Sequence, residues 1–179
     1  EEQFSRQKAN LLKVIPYLEQ LRSPVASQPR VRFYQGVEGV KEILEDMIRS
    51  PDETVYSAMD IAYSWRIPGR EIHDWTDSFM KRRIDRNVWF YGIINESPES
   101  DFVVGKGVGN ESKRYIKKVK NIHLPVEINI YGNKVAVITT HEETLGLIIE
   151  NRIIAETCRG IFKAVWDALP NYEVERPAK

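Results

Sequence analysis

The chain has 179 residues, of which 42% are hydrophobic and 29% are charged, so its composition predicts a globular domain with an appendage and argues against intrinsic disorder. Its 26 basic residues balance its 26 acidic residues, and a chain without a positive excess is a poor candidate for holding a nucleic-acid backbone by itself. The only cysteine, Cys158, excludes an intramolecular disulfide and a cysteine-based metal site.

Targeting signals are absent from the printed sequence. No segment approaches the roughly 20 apolar residues that span a bilayer, and the N-terminus has neither the basic nor the apolar region of a signal peptide. We therefore expect a cytoplasmic protein without a membrane partner. The sequence begins at Glu1 rather than at a methionine, and on that basis we expect the natural protein to continue N-terminally.

The first predicted element is a helix over residues 4–21. Its apolar stripe includes Leu11, Ile15 and Leu18, and Pro16 is expected to kink it. Residues 22–29 are rich in serine and proline and form a linker. The predicted domains are therefore a linker or dimerisation helix at 1–28 and an α/β domain at 29–179.

The next third of the chain alternates strands with amphipathic helices. Strands are predicted at 31–34, 54–59 and 88–94, with one helix between Gly36 and Ser50 and another beginning near Pro68. This alternation is typical of an α/β unit with parallel strands. The pattern weakens over 95–121, where we predict a loop at 96–100 and a short helix at 112–117.

The last third is the clearest. Strands at 126–131 and 134–139 flank the hairpin signal Gly132–Asn133, and a third strand follows at 145–149. A strongly amphipathic helix over 151–169 places Cys158 on its apolar face, so this thiol is predicted to be a core residue. The predicted fold class is α/β, with a mixed sheet flanked by helices.

Motifs that carry chemistry are mostly missing. The glycines at 105, 107 and 109 lack the Lys-Ser/Thr of a phosphate loop, so a loop is the favoured interpretation. His73, His123 and His141 form no paired ligand spacing, which predicts no metal site. Two basic clusters, 81–86 and 113–120, are interpreted as a helix C-terminus and a solvated helix face.

Three segments resemble the effector domain of TrmB-like transcriptional regulators of archaea and bacteria. They are PRVRFYQGVEGVK at 29–41, EINIYGNKVAVI at 127–138 and LIIENRIIAETCRGIFKAVW at 147–166, in the order of that domain. The resemblance implies a phospholipase D-like fold, a preceding winged helix that reads DNA, and a linker helix that supports a dimer. The helix at 4–21 occupies the place of that linker.

The same resemblance raises an enzymatic alternative. Phospholipase D enzymes need the motif HxKxxxxD, in which histidine is the nucleophile and lysine binds phosphoryl oxygens. No histidine of this chain is followed by lysine two residues later, and the hairpin at 130–134 contains no histidine. We therefore expect no catalytic residues, no cofactor and a fold that serves binding.

A ligand site is predicted at the carboxyl ends of the parallel strands, where ligands of open α/β sheets gather. Asp60 and Glu96 follow two of these strands, and the loop after Asp60 carries aromatic and basic side chains that suit a polar ligand such as a sugar. The other interpretation is that Tyr63 and Trp65 only pack the loop onto the sheet. An alternative location is the surroundings of the loop 105–109. The candidate residues are Asp60, Tyr63, Trp65, Arg66 and Glu96, with Arg82 and Arg83 at the alternative location.

Three hypotheses about function stay open at this point. The first is a ligand-sensing and dimerising domain of a TrmB-like regulator, which contacts DNA only through a separate N-terminal domain. The second is a phosphodiesterase-like enzyme with an unrecognised site, and the third is an oligomerisation module without a ligand. A homodimer is expected, with Leu11, Ile15 and Leu18 either covered by a second subunit or packed on their own domain.

Overall fold

The computed structural model describes residues 29–64, 70–105, 107–120, 122–140 and 143–170. The predicted linker helix at 4–21, with Leu11, Ile15 and Leu18, lies outside these residues. The strands are β1 (Arg30–Gln35), β2 (Thr54–Met59), β3 (Trp89–Asn95), β4 (Arg114–Val119), β5 (Glu127–Tyr131), β6 (Lys134–Thr139) and β7 (Leu145–Glu150). The helices are α1 (Gly36–Arg49), α2 (Ile61–Ser64), α3 (Arg70–Asp85), α4 (Pro98–Gly105) and α5 (Arg152–Ala168).

All seven strands belong to one mixed sheet with the order β1-β7-β6-β5-β2-β3-β4. The strands β2, β3 and β4 are parallel, and β5, β6 and β7 continue the sheet as antiparallel neighbours. The hairpin between β5 and β6 turns at Gly132, whose φ of +50° lies in the left-handed region that glycine favours. The predicted α/β class and the mixed sheet are confirmed.

The first strand departs from the predicted parallel pairing. β1 lies at one edge of the sheet and pairs antiparallel with β7, from Arg30 opposite Glu150 to Gln35 opposite Leu145. Its side chains are alternately exposed and half-buried, and the charged residues Arg30 and Arg32 suit an edge strand. Strand-helix-strand alternation does not reveal such an edge position, because α1 can return to any place on the sheet.

Two predictions between residues 96 and 117 are wrong. Residues 114–119 form strand β4, parallel to β3, instead of a helix. Residues 98–105 form α4, where a loop was expected to begin. Ser97 and Ser100 cap this helix reciprocally, because each backbone N–H donates to the other serine's Oγ at 3.0 and 3.1 Å.

Helices cover the two faces of the sheet unequally. On one face, the α1 face, Ile43 of α1 and Phe79 of α3 pack on Val55, Tyr131 and neighbouring side chains. On the opposite face, the α5 face, Phe162 belongs to a second cluster with Ile93, Ile130 and Val135. α5 packs mainly on β6, β5 and β2, so it does not extend over the whole face.

Candidate ligand-binding site

The carboxyl edge of the sheet is the edge at which β2, β3 and β4 end. Asn95, the last residue of β3, accepts a hydrogen bond at its Oδ1 from the Ile61 N–H at 3.1 Å. Asp60 follows β2, and its Oδ1 accepts from the Ala62 N–H at 2.9 Å. The two strand ends therefore meet around the first turn of α2, where ligands of such sheets gather.

Asp60 is more deeply placed than a surface loop carboxylate. It is only 9% exposed, and its bond to Ala62 satisfies one of the free N–H groups at the start of α2. Asp60 therefore supports the backbone at this edge, and removing its carboxylate will affect local structure as well as any ligand.

The other predicted residues of this edge are only partly described. The backbone of Tyr63 lies in α2, but its side chain is outside the description, as are Trp65 and Arg66. Glu96 is exposed, and its carboxylate lies 3.8 Å from the Lys120 ammonium. Glu96 is thus beside the strand ends on the solvent side.

A buried polar row lies behind the carboxyl edge and was not predicted. It consists of Ser57 on β2 with Asn129 and Glu127 on β5, and Ser57 is directly opposite Asn129 in the sheet. Both Ser57 and Asn129 are fully buried, and the Asn129 amide Nδ2 donates to Glu127 Oε1 at 2.8 Å. Within the described part of the chain, Ser57 Oγ and Asn129 Oδ1 have no hydrogen-bond partner.

The row faces the same side as α1. Side chains alternate along a strand, and Val55 and Tyr131, two residues away on β2 and β5, belong to the cluster under α1. The sequence signal that could have revealed the row is a polar residue at an inward-facing position of each strand, Ser57 in β2 and Asn129 in β5. Such positions are rarely polar without a bonding partner or a function.

Arg82 and Arg83 lie at the opposite, amino edge, where β2, β3 and β4 begin. Arg82 forms an ion pair with Glu45 of α1 and lies over the Trp75 ring at 5.4 Å from its centroid. Arg83 is 1% exposed. The structure therefore does not bring these two arginines together with Asp60 and Glu96.

The guanidinium of Arg83 donates to three carbonyls on two segments of backbone. Its Nη1 donates to the Val88 and Lys113 carbonyls at 2.5 and 2.9 Å, and its Nη2 donates to the Ser112 carbonyl at 2.6 Å. Burial, with a contribution from the charge of Arg114, lowers the pKa of Arg83 to about 10. Arg83 is still charged at neutral pH and holds the segments that precede β3 and β4.

The basic segment 113–120 is not a solvated helix face, because it lies on β4 and two of its side chains are buried. Arg114 is 5% exposed and its Nε donates to the Gly107 carbonyl at 3.0 Å. Lys117 is 7% exposed and binds the end of α5. Gly107 and Gly109 adopt φ values of 118° and 117°, a backbone conformation that favours glycine. These two residues allow the turns that bring the loop onto Arg114.

A second polar cluster ties α1 to the sheet. Asp46 Oδ2 accepts from the Tyr131 hydroxyl and from Lys134 Nζ, both at 2.8 Å, and Arg32 Nη2 lies 3.6 Å from Asp46 Oδ1. Burial alone would raise the pKa of Asp46, but the bonds and charges of Lys134, Tyr131 and Arg32 together lower it. Burial and the Asp46 carboxylate raise the pKa of Tyr131.

An open cleft of about 390 Å³ lies at the amino edge. Arg159 on α5 forms one wall, and its Nη2 donates to the Gly132 carbonyl at 2.6 Å. The cleft contains none of the carboxyl-edge residues. It is lined by Pro51, Asp52, Glu53, Thr54, Tyr56 and Arg159.

The described residues contain neither a potential metal site nor a helix that could cross a membrane. No group of three or more histidine, cysteine, aspartate or glutamate side chains is placed to hold a metal ion there. None of the helices in that part of the chain is both long and apolar enough to cross a membrane. Cys158 is half-buried and packs beside the cluster under α5.

Known structures define the class of the fold. The chain is similar to Nuc from Salmonella typhimurium, a phospholipase D family member, with 15% identity and a TM-score of 0.56 over 82% of this chain and 100% of Nuc. It is equally similar to NucT from Helicobacter pylori, with 9% identity and a TM-score of 0.56 over 81% of this chain and 100% of NucT. The fold is therefore phospholipase D-like.

A third similar structure is TrmBL2, an archaeal chromatin protein with a novel mode of DNA binding. The identity is 14% and the TM-score is 0.50, over 96% of this chain and 66% of TrmBL2. This chain thus spans about two thirds of the length of TrmBL2. No family model and no curated protein sequence matches the chain.

Proposed function

We propose that this chain is a non-catalytic, ligand-sensing and dimerising domain of a TrmB-like transcriptional regulator. The observation that carries the proposal is the carboxyl edge: it retains buried polar side chains, yet the sequence contains no HxK motif that would make a phospholipase D centre. A fold that keeps a polar site without its nucleophile is suited to binding. The similarity to TrmBL2 supports the regulatory class.

The charges at this edge also favour binding over phosphodiester cleavage. Asp60 follows the end of β2 and Glu127 begins β5, so both carboxylates lie at this edge, and carboxylates repel an incoming phosphodiester. Lys118 and Lys120, the lysines at the end of β4, pair with Asp101 and Glu96. Among the described residues of this edge, these lysines are therefore paired with carboxylates, which does not favour phosphoryl transfer.

An exposed apolar surface supports the proposed homodimer. Its most exposed members are Phe33 at 80% and Ile161 at 63%, and all of its residues lie on β1, β7 or α5 on the α5 side. Clustered exposed apolar residues commonly mark a protein interface. The surface consists of Val31, Phe33, Leu145, Ile153, Ile161 and Val165.

The dimer can be tested with two substitutions on α5. Ile161→Glu places a charge in the exposed apolar surface, whereas Lys163→Glu changes an exposed residue on another face of the same helix. We expect sedimentation analysis to show a dimer for the wild type and Lys163→Glu, and a shift toward monomer for Ile161→Glu. A wild-type chain that is monomeric at high micromolar concentration would refute the dimer.

Contact with DNA is assigned to another segment of the regulator. The formal net charge of the chain is zero, so it lacks the positive excess from which most non-specific DNA affinity comes. We expect the purified chain to bind duplex DNA weakly at physiological salt. Tight binding in a salt-titrated mobility assay would place a DNA surface on this domain.

Enzymatic activity is the main alternative, because Nuc shows that the fold occurs in the phospholipase D family. We expect no hydrolysis of bis(p-nitrophenyl) phosphate above the buffer rate, together with stabilisation of the chain by at least one class of small molecule. Turnover that persists through purification would support the phosphodiesterase. If no small molecule stabilises the chain, the remaining hypothesis is an oligomerisation module without a ligand.

A further inference from the structure

The two unpartnered atoms of the buried polar row are unusual for a protein interior. Ser57 and Asn129 are neighbours across β2 and β5, and each has a buried oxygen without a hydrogen-bond partner among the described residues. A buried oxygen without a partner destabilises the folded protein. An apolar residue at either position, or a hydrogen-bonding neighbour, would remove this destabilisation. The two unpartnered oxygens therefore need a physical explanation.

Another buried serine shows what a satisfied hydroxyl looks like in this chain. Ser100 is also 0% exposed. Its Oγ accepts from the Ser97 N–H at 3.0 Å and donates to the Ser97 carbonyl at 2.7 Å. Ser57 has the same burial and neither kind of bond, so burial alone does not explain its hydroxyl.

The chemistry of the row is defined by Glu127. An ionised carboxylate only accepts hydrogen bonds, so the Asn129 atom that faces it must be the amide nitrogen. The remaining oxygen, Asn129 Oδ1, is therefore an acceptor. The row thus has one unpartnered acceptor, Asn129 Oδ1, and one unpartnered hydroxyl, that of Ser57, which can accept or donate.

We propose that Ser57, Asn129 and Glu127 form the floor of the ligand site, and that its ligand presents hydrogen-bond donors and carries no negative charge. This inference rests on the proposed ligand-sensing function and names the class of its ligand. A polyol hydroxyl or an ammonium group supplies such donors. A phosphate or carboxylate does not, and it would also face the charge of Glu127.

The position of Glu127 gives the ligand a direction of approach. Glu127 is half-buried at the start of β5, on the carboxyl-edge side of the fully buried Asn129. Asp60, at the end of β2, adds a second carboxylate to the same edge. A ligand that enters from this edge passes the carboxylates of Asp60 and Glu127 before it reaches Ser57 and Asn129.

The test compares melting temperatures of the full chain with three kinds of probe at millimolar concentration. They are neutral polyols (myo-inositol and D-glucose), the amine putrescine, and inorganic phosphate. Ser57→Ala and Asn129→Leu remove the unpartnered atoms, and Ser100→Ala is the matched control. Polyols also stabilise proteins by general exclusion from their surface, and that part will be the same in every variant.

We expect a polyol or the amine to stabilise the wild type beyond this general effect, and its apparent Kd to weaken about tenfold or more in Ser57→Ala and Asn129→Leu. Without ligand, Ser57→Ala should melt no lower than the wild type, because it removes an unpaired hydroxyl. Ser100→Ala should melt lower and keep its response. The probe that raises the melting temperature of the wild type, a polyol or putrescine, identifies the ligand class.

Four outcomes would overturn the inference. If phosphate is the only probe that stabilises the chain, and Ser57→Ala abolishes that effect, the site binds an anion instead of a hydrogen-bond donor without negative charge. If a probe binds equally well to Ser57→Ala and Asn129→Leu, the ligand site lies elsewhere. If Ser57→Ala melts clearly lower without ligand, its hydroxyl has an internal bonding role. If no probe of any kind stabilises the wild type, the ligand-sensing function fails as well, which separates this case from the other three.

Discussion

The ammonium of Lys117 lies 2.7 Å from the carbonyl oxygen of Trp166, so a central residue of the edge strand β4 holds the end of the last helix. The same ammonium donates to the Leu169 carbonyl at 2.8 Å and lies 5.0 Å from the centre of the Trp166 indole. The Trp166 carbonyl also accepts the Leu169 N–H at 3.3 Å, and a cation at a helix C-terminus is favourable.

Replacing Lys117 with methionine keeps most of its length and removes both charged hydrogen bonds. We expect Lys117→Met to lower the free energy of unfolding by about 2 kcal/mol in urea titrations. Lys120→Met, at an exposed residue just after the same strand, should change it by less than about 0.5 kcal/mol. Equal effects of the two substitutions would show that Lys117 does not hold the helix end.

Arg83 is expected to be the most sensitive basic residue at the amino edge. Arg83→Met removes three charged hydrogen bonds to backbone carbonyls, and we expect a loss of about 3 kcal/mol in the free energy of unfolding. Arg86→Met, on an exposed residue just after the same helix, is the control and should be nearly neutral. A loss below about 1 kcal/mol for Arg83→Met would contradict the contacts assigned to its guanidinium.

The Asp46 cluster predicts a pH dependence of stability. The pKa of Asp46 is lower in the folded protein than its ordinary value of 3.8. Its stabilisation is therefore complete above that ordinary value and is lost as pH falls through the lower folded value. Denaturant titrations between neutral and strongly acidic pH should show a drop that Asp46→Asn reduces.

At neutral pH, Asp46→Asn should cost about 1–2 kcal/mol, because it weakens charge-assisted bonds from Lys134 and Tyr131. Asp52→Asn offers a matched control, since its side chain is exposed. An unchanged acid profile in Asp46→Asn would remove Asp46 from the account of acid stability.

Gly146 allows the closest packing between α1 and the sheet. A Cβ at this position would collide with the Cδ1 atom of Ile43, a fully buried residue of α1. We expect Gly146→Ala to lower the free energy of unfolding by about 1–3 kcal/mol. Ile43→Val removes the colliding atom, so the double variant should be more stable than the sum of the single effects predicts.

Sequence periodicity was sufficient for most of the elements but not for their placement. The α1 pattern around Ile43 and the α5 pattern around Phe162 gave helices because each has one apolar face. β4 was misread because Arg114 and Lys117 are buried polar residues that satisfy backbone carbonyls, and only tertiary structure supplies those carbonyls. The start of α4 had a usable signal in Ser97–Pro98–Glu99, a capping residue followed by proline and an acidic first turn.

The strand ends around which the candidate site is proposed were predictable from the sequence, but the buried polar side chains behind them were not. The rule that ligands gather at strand ends leads to Asp60, whose place beside Asn95 follows from the parallel pairing of β2 and β3. Ser57 and Asn129 were not foreseen, because their pairing depends on the register between β2 and β5, which are far apart in sequence. Arg83 was assigned to an alternative ligand location because a sequence does not show which carbonyls a buried arginine meets.

The most direct test of the central claim is an amide chemical-shift titration of the isotope-labelled chain with the polyol or amine that stabilises it most. A binding site at the carboxyl edge predicts that the largest changes fall on residues 57–62, 95–96 and 127–129, around Ser57, Asp60 and Asn129. Changes centred instead on Arg83, Arg114 and the loop 107–109, or on the cleft beside Arg159, would contradict the account.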